Sequence, residues 1–406
     1  MRITNGMITN NTLRSLNTGL TSLNKLYSQM TTGKKIQTVS EDPIIAGKSL
    51  KLKINVLQNE QYQTNVKSAK SWMEGTETAL ENMISVLNGI RDKCQTASST
   101  GTNTVSELNV LCTQINQLWT QVQDEANSTY SGRYLFSGYK TSEPLMITSA
   151  TTLSEDVTLS STEDYTVYSE STLAAGSKIE AGTTLKAGTQ LSDTDATALG
   201  IDTALLDNGV LTQDVETTTT SDIGSEMTLA SGSVLTKGSK LATDSTITAG
   251  NINPNVYGKI DGQEMYYQVG TGSTIAVNTL DMDDTMQTLA TCINDMLSLI
   301  NEAQQDDTTV TTDDLHECYN NAIGTIDELL KDISNKRTDL GSRVSRLEYV
   351  TDRLSDEETN LETLLSSTED VDFDEAYVNF TQQYTTYLSA LQATSKVISN
   401  TLADYL

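Results

Sequence analysis

The sequence predicts an α+β chain: a long helical coiled-coil bundle formed by the N- and C-terminal regions, with a mostly β domain inserted between them. Three observations lead there. Apolar residues step by alternating threes and fours through both ends, the period of a helix-packing seam. That period vanishes from about 141 to 280, where Thr, Ser, Gly and Asp take over. Inside that stretch an aliphatic residue returns every six positions.

Composition narrows the function classes. The 406 residues carry Lys+Arg 26 against Asp+Glu 54, a net charge of −28. Phosphate backbones are held by clustered Lys and Arg, so nucleic acid is not an expected partner. Anionic lipid is disfavoured for the same reason. One His cannot build a His-based metal cage, and neither cofactor nor metal is expected. Apolar residues are 36% of the chain, which suits a thin, long core. No run of 18 apolar residues occurs, so no membrane span is expected. The opening MRITNGMITNNTLRSLN lacks the apolar core of a secretory signal peptide. That predicts a cytosolic chain, or one exported by another route.

Charge is uneven. Residues 1–60 hold eight basic and three acidic side chains, a net of +5. A solvated helix face accounts for this; so does an end that meets an acidic surface, such as the chain's own other end. Cys94, Cys112, Cys292 and Cys318 show no C-x-x-C spacing, so inert thiols are expected.

Leu13, Leu16, Leu20, Leu23, Tyr27 and Met30 form the first seam. GKKIQTVSEDP interrupts it. Asp42 then caps a helix that starts at Pro43, whose missing N–H costs nothing there. Further along, Leu80, Met83, Leu87, Ile90 and Cys94 keep the helical period. Thr104 and Glu107 spell a capping box, followed by Leu108, Leu111, Ile115, Leu118 and Val122. GRYLFSGYKTSEP closes this half.

From 141 to 280 there are five basic and eighteen acidic residues. Leu173-Ala-Ala-Gly176-Ser177, Ile179-Glu-Ala-Gly182-Thr183 and Leu185-Lys-Ala-Gly188-Thr189 show the hexad, which returns from Leu229 to Asn251. Short strands separated by tight turns fit it, either as a sandwich or as a short β-solenoid. GKIDGQEMYYQVGTGS reads as hairpin.

The C-terminal half mirrors the first. Met286, Leu289, Ile293, Met296 and Ile300 make one seam. Asp314 and Glu317 are expected to cap the next helix, whose seam runs from Tyr319 to Leu364. Asp283-Asp284 reads as a helix-dipole pair. His316 lies outside every hexad, and no nucleophile, P-loop or metalloprotease motif occurs, so no enzyme is expected. Asp372 and Glu375 spell another capping box, and the last helix carries Tyr377, Phe380, Tyr384, Tyr387, Leu391, Ile398 and Tyr405. An amphipathic helix must bury its stripe; the first helix is the expected partner. The expected division is 1–42 as a terminal helix pairing with 370–406, 43–140 as an N-terminal rod, 141–280 as the β insert and 281–369 as a C-terminal rod.

These ends resemble the flagellin superfamily, and within it the junction-forming members. The opening MRITNGMITNNTLRSLN carries the resemblance, with QMTTGKKIQTVSEDPIIAGKSLKL (Gly33, Asp42, Pro43), GRYLFSGY (Phe136, Gly138), RTDLGSRVSRLE (Arg337, Gly341, Arg346) and the stretch from STEDVDF to the final ADYL. It covers about 260 residues and leaves out the middle. The resemblance implies a structural adaptor of the bacterial flagellum, exported unfolded through the type III apparatus without a cleaved signal peptide. It would assemble in a ring of copies at the hook tip, outside the cell. Its neighbours would be the first junction protein on the hook side and flagellin on the filament side. The terminal helices would form an inner tube, and an export chaperone would contact Phe380, Tyr384 and Leu391. Two other readings stay open: the filament subunit itself, and a surface-binding or adhesin role of the β insert. A terminal pair with no third element also predicts that the ends, near 1–40 and 370–406, gain order from neighbours.

Overall fold

The computed structural model describes residues 5–99, 104–159, 164–258, 260, 262–304 and 310–398. The described residues form seven α-helices: α1 (Asn5–Thr32), α2 (Pro43–Ala97), α3 (Val105–Ala126), α4 (Asp193–Ala198), α5 (Met282–Ala303), α6 (Thr312–Glu369) and α7 (Phe373–Ile398). Small antiparallel sheets fill the insert between α3 and α5. Two compact units result, residues 1–64 with 350–406, and residues 65–349. α6 alone, with 58 residues, is about 87 Å long at helical rise.

The starts of these helices are chemically marked. Asp42 Oδ1 accepts from the amides of Ile44 and Ile45 at 3.0 and 3.1 Å. Thr104 and Glu107 close the expected box. The box before α6 is not the expected one. Thr311 and Asp314 exchange it, with Asp314 N donating to Thr311 Oγ1 at 3.3 Å and Thr311 N to Asp314 Oδ2 at 2.8 Å. Thr311 has the hydroxyl an N-cap needs, and Asp314 stands three residues on; Glu317 takes no part.

In the larger unit, α2, α3, α5 and α6 bury one apolar stripe each. Leu80, Met83, Leu87, Ile90 and Cys94 are fully buried, as are Met286, Leu289, Ile293, Met296 and Ile300. Each such side chain contributes about 1.5–3 kcal/mol. On α3 the inward positions are Leu108, Cys112, Ile115, Trp119 and Val122, so the stripe differs from the expected one at Leu111 and Leu118. Both phases are helical, and packing against the neighbouring helices selects the one that carries Trp119. Two polar side chains of α6 reach carbonyls: Lys336 Nζ donates to Asp281 O at 3.1 Å and Arg343 to Ala276 O and Asn278 O. His316 is buried with Nδ1 2.7 Å from Ala97 O at the end of α2. Burial raises all four cysteine thiols, Cys94 to about 12, so they stay protonated.

The insert resolves the choice its sequence left open. An outgoing thread makes six short strands: Thr151–Thr152, Val157–Thr158, Tyr165–Thr166, Ser171–Leu173, Lys178–Ile179 and Thr184–Leu185. A returning thread makes six more: Val215–Glu216, Ser221–Asp222, Met227–Leu229, Val234–Leu235, Lys240–Leu241 and Thr246–Ile247. Successive strands visit three four-stranded sheets in rotation, and the returning thread visits them in reverse. Every pairing is antiparallel and joins one thread to the other. The insert is thus a short three-faced coil of two interleaved threads.

The hexad explains itself at the corners. The Gly turns left-handed, as at Gly176 and Gly182 (φ +91°), where only Gly is unstrained. The Ser or Thr that follows is buried and serves the other thread. Ala242 N donates to Ser177 Oγ and Ala174 N donates to Ser245 Oγ, both at 2.9 Å. The same exchange joins Thr183 with Ser239, and Thr189 with Ser233. One end of the coil is closed by α4. There the buried Asp195 accepts from Ser192 Oγ, Ser225 Oγ and the Gly224 amide. At the other end Tyr257 and Tyr168 hydrogen-bond Gln287 of α5.

Candidate assembly surface

The smaller unit brings the two ends of the chain together. α1 and α7 run antiparallel: Tyr27 meets Phe380 with ring centroids 6.3 Å apart, and Gly19 faces Tyr387. Among the described residues, the half-buried positions of α1 include Thr12, Leu16, Gly19, Leu23, Leu26 and Met30. Those of α7 are Ala376, Phe380, Gln383, Tyr387, Ala390 and Thr394, of which only Ala376 and Thr394 are buried outright.

Each expected stripe is therefore split. Leu16, Leu23 and Met30 turn toward α7, while Leu13, Leu20 and Tyr27 remain 47%, 39% and 60% exposed. On α7, Phe380 and Tyr387 turn toward α1, while Tyr377, Tyr384 and Leu391 remain 55%, 46% and 40% exposed. The residues left out are seven apart on both helices, so each forms a straight apolar column. The two stripes cover each other only in part, since a pair of helices covers only about one face of each. Ile398 ends α7; Tyr405 lies outside the described residues.

A polar clasp sits at the base of the pair. Gly33 adopts φ +70° and lets the chain turn between α1 and Lys34. Lys35 N donates to Glu369 O at 2.7 Å and Val371 N to Gly33 O at 2.9 Å. The Glu369 carboxylate, 7% exposed, takes Lys53 Nζ at 2.8 Å and Ser49 Oγ at 2.9 Å. Lys34 Nζ lies 2.9 Å from Asp370 and 3.4 Å from Glu369. Burial pushes the Glu369 carboxyl up; the hydrogen bonds from Lys53 and Ser49 and the Lys34 charge outweigh it, and its pKa falls below the usual value. Part of the basic N-terminal excess is thus spent on the chain's own acidic end.

The remaining motif residues lie in the larger unit. Phe136 is fully buried. Gly138 is left-handed at φ +58°, and a Cβ there would come within 2.6 Å of Gln263 Oε1. Arg337 pairs with Glu77 and Glu81 at 3.5 and 3.2 Å. Gly341 and Arg346 lie on α6, the latter exposed. The clasp carboxylate Glu369 was not singled out by sequence; Glu–Asp at a helix end reads as ordinary solvated charge. Among the described residues no group of three His, Cys, Asp or Glu could hold a metal, and no helix is long and apolar enough to cross a membrane.

Helical chain ends enclosing an inserted β domain define the class. The model of the bacterial flagellin N-terminal helical region matches residues 3–141, and that of the C-terminal helical region matches 323–406, together more than half of the sequence. The chain belongs to the flagellin family. It is 31% identical over 142 residues to flagellar hook-associated protein 3 of Escherichia coli, and 30% to that of Salmonella typhimurium. It is 26% identical over 141 residues to the flagellin of Clostridium tyrobutyricum, 34% of this chain and 37% of that one. The hook-associated matches cover 35% of this chain and 44% of each relative, so the chain spans less than half the length of these curated relatives. The structure of Bacillus cereus FlgL aligns with 78% of this chain and 99% of its own, at 12% identity and a TM-score of 0.43.

Proposed function

We propose that this chain is a structural adaptor of the bacterial flagellum, assembling outside the cell as the hook–filament junction on which flagellin grows. The observation that carries the reading is the pair of uncovered columns, Leu13/Leu20/Tyr27 and Tyr377/Tyr384/Leu391. Apolar surface in regular seven-residue register on paired helices asks for further helices to cover it. Copies of the same chain in a ring supply them laterally; a hook-side junction protein and flagellin supply them above and below. Similarity to hook-associated protein 3, at 31% and 30% identity against 26% for a flagellin, favours this reading over the filament subunit. No catalytic step is assigned.

In this reading, a subunit reaches the tip through the type III route. There its chain-end helices exchange water for neighbouring columns. Covering six such side chains to half their area contributes several kcal/mol, on the order of 5, against the ordering of two helices. An export chaperone would hold the α7 column, through Tyr384 and Leu391 with Phe380, before assembly.

Electron microscopy of purified chain with short filament seeds and precipitant tests the reading. Single subunits or short caps on the seeds are expected, because a junction needs a different protein on each side. Long self-grown filaments would make the chain a filament subunit instead.

A further inference from the structure

The larger unit contains a cavity of about 330 Å³ where the β coil meets α3 and α5. We propose that it binds a neutral monosaccharide unit. Its floor is apolar and aromatic: Trp119, Ala290 and Ile293 are 6%, 2% and 2% exposed. Its rim is polar and open, at Asn116, Thr120 and Thr148. No charged side chain lines it, which disfavours phosphates, carboxylates and metal cations as occupants.

The side chain of Gln123 opens onto this space without a protein partner. Gln123 is 5% exposed, lines the cavity, and its side-chain amide makes no hydrogen bond among the described residues. An amide that opens onto a cavity is satisfied there by water or by a ligand. It offers both a donor and an acceptor. A polyol presents both in return, and its C–H face suits the apolar floor. The volume lies at the small end for ligand sites, fitting one sugar ring rather than a chain.

The site is also held in shape. Asn251 is fully buried and takes the amides of Tyr168 and Ser169 at 2.6 and 3.3 Å, while its Nδ2 donates to Ser169 O at 3.3 Å. That fixes the coil side of the rim. Ser231 Oγ donates to Asn294 Oδ1 at 2.9 Å, leaving the Asn294 amide hydrogens for an occupant. This inference does not depend on the junction reading, since nothing in it involves α1 or α7.

Saturation-transfer NMR and titration calorimetry on the full chain provide the test. The probes are the methyl glycosides of glucose, galactose and N-acetylglucosamine, each also as the free sugar, with glucosamine and gluconate as charged controls. Saturable binding of at least one neutral probe, as glycoside or free sugar, with neither charged control binding as well, is expected. Gln123→Met should weaken it by about fivefold to tenfold. Thr120→Phe, at the exposed rim, should block the cavity without touching the core, with circular dichroism confirming the fold of both variants. No saturable binding of any neutral probe would overturn the proposal. So would binding that both folded variants leave unchanged, or equal binding of a charged control.

Discussion

Single carboxylates do much of the fastening, in opposite electrostatic settings. Glu369 is held ionised by Lys53, Ser49 and Lys34. Its depressed pKa stabilises the fold above the unfolded carboxylate value of about 4.3, and that contribution is lost as pH falls through the lower native value. Glu369→Ala should cost about 1–3 kcal/mol, discounted because the two lysines are half exposed. Faster exchange of the Lys35 amide is the readout; unchanged exchange would remove the clasp from the account. Asp283 is the reverse case. It is 2% exposed, Oδ2 accepts from Gly258 N at 2.9 Å, and Oδ1 has no partner. Burial, with the Asp284 charge adding to it, raises the carboxyl to about 6. Stability therefore falls as pH rises from about 4 to 6. Asp283→Asn should stabilise the larger unit by about 1–3 kcal/mol at pH ~7.5 and by little at pH ~4. Equal effects at both pH values in urea unfolding would contradict this. At this scale local chemistry was legible and tertiary chemistry was not. Asp42-Pro43 and Thr104 act within one helix turn. Glu369 and Asp283 are defined by groups such as Lys34, Lys53 and Gly258 that sequence does not place beside them.

At the scale of elements, the β coil shows what a repeat can and cannot say. The hexad announces short strands and left-handed Gly corners. It does not say whether a strand pairs within its own thread or with the other, since both carry the same period. The reciprocal Ser corners decide it. Ser177→Ala and Ser245→Ala should each destabilise the insert by about 1–2 kcal/mol, by orphaning the Ala242 or Ala174 amide. Because the two hydroxyls lie 3.4 Å apart, the double variant should depart from additivity by at least about 0.5 kcal/mol. A strictly additive cycle in thermal unfolding would deny the coupling. Gly182→Ala, at φ +91°, should cost about 1–2 kcal/mol through backbone strain alone. The α3 stripe carries the same lesson: Leu111/Leu118 and Cys112/Trp119 are both helical phases, and only the neighbouring helices choose between them.

For the whole molecule, the periodic ends predicted a helical pair, and α1 with α7 is that pair. Which half of each stripe the pair would cover was not legible, because a heptad names a face and not its occupant. The split leaves three residues of each seven-residue column uncovered, Leu13, Leu20 and Tyr27 on α1 and Tyr377, Tyr384 and Leu391 on α7. Replacing Leu13, Leu20 and Tyr27 together by Ser should leave the melting of the larger unit unchanged and abolish incorporation onto hook ends. Normal incorporation of that triple variant would remove the column from the assembly mechanism.

Hydrogen exchange on α1 and α7, measured in dilute monomer and again after assembly onto hook ends, tests the central claim most directly. The account predicts fast exchange along both helices in the monomer, slow exchange in the four-helix core of the larger unit, and protection of α1 and α7 once neighbours cover their columns. Full protection of both helices in the dilute monomer would contradict it, since the pair would then be complete without a partner.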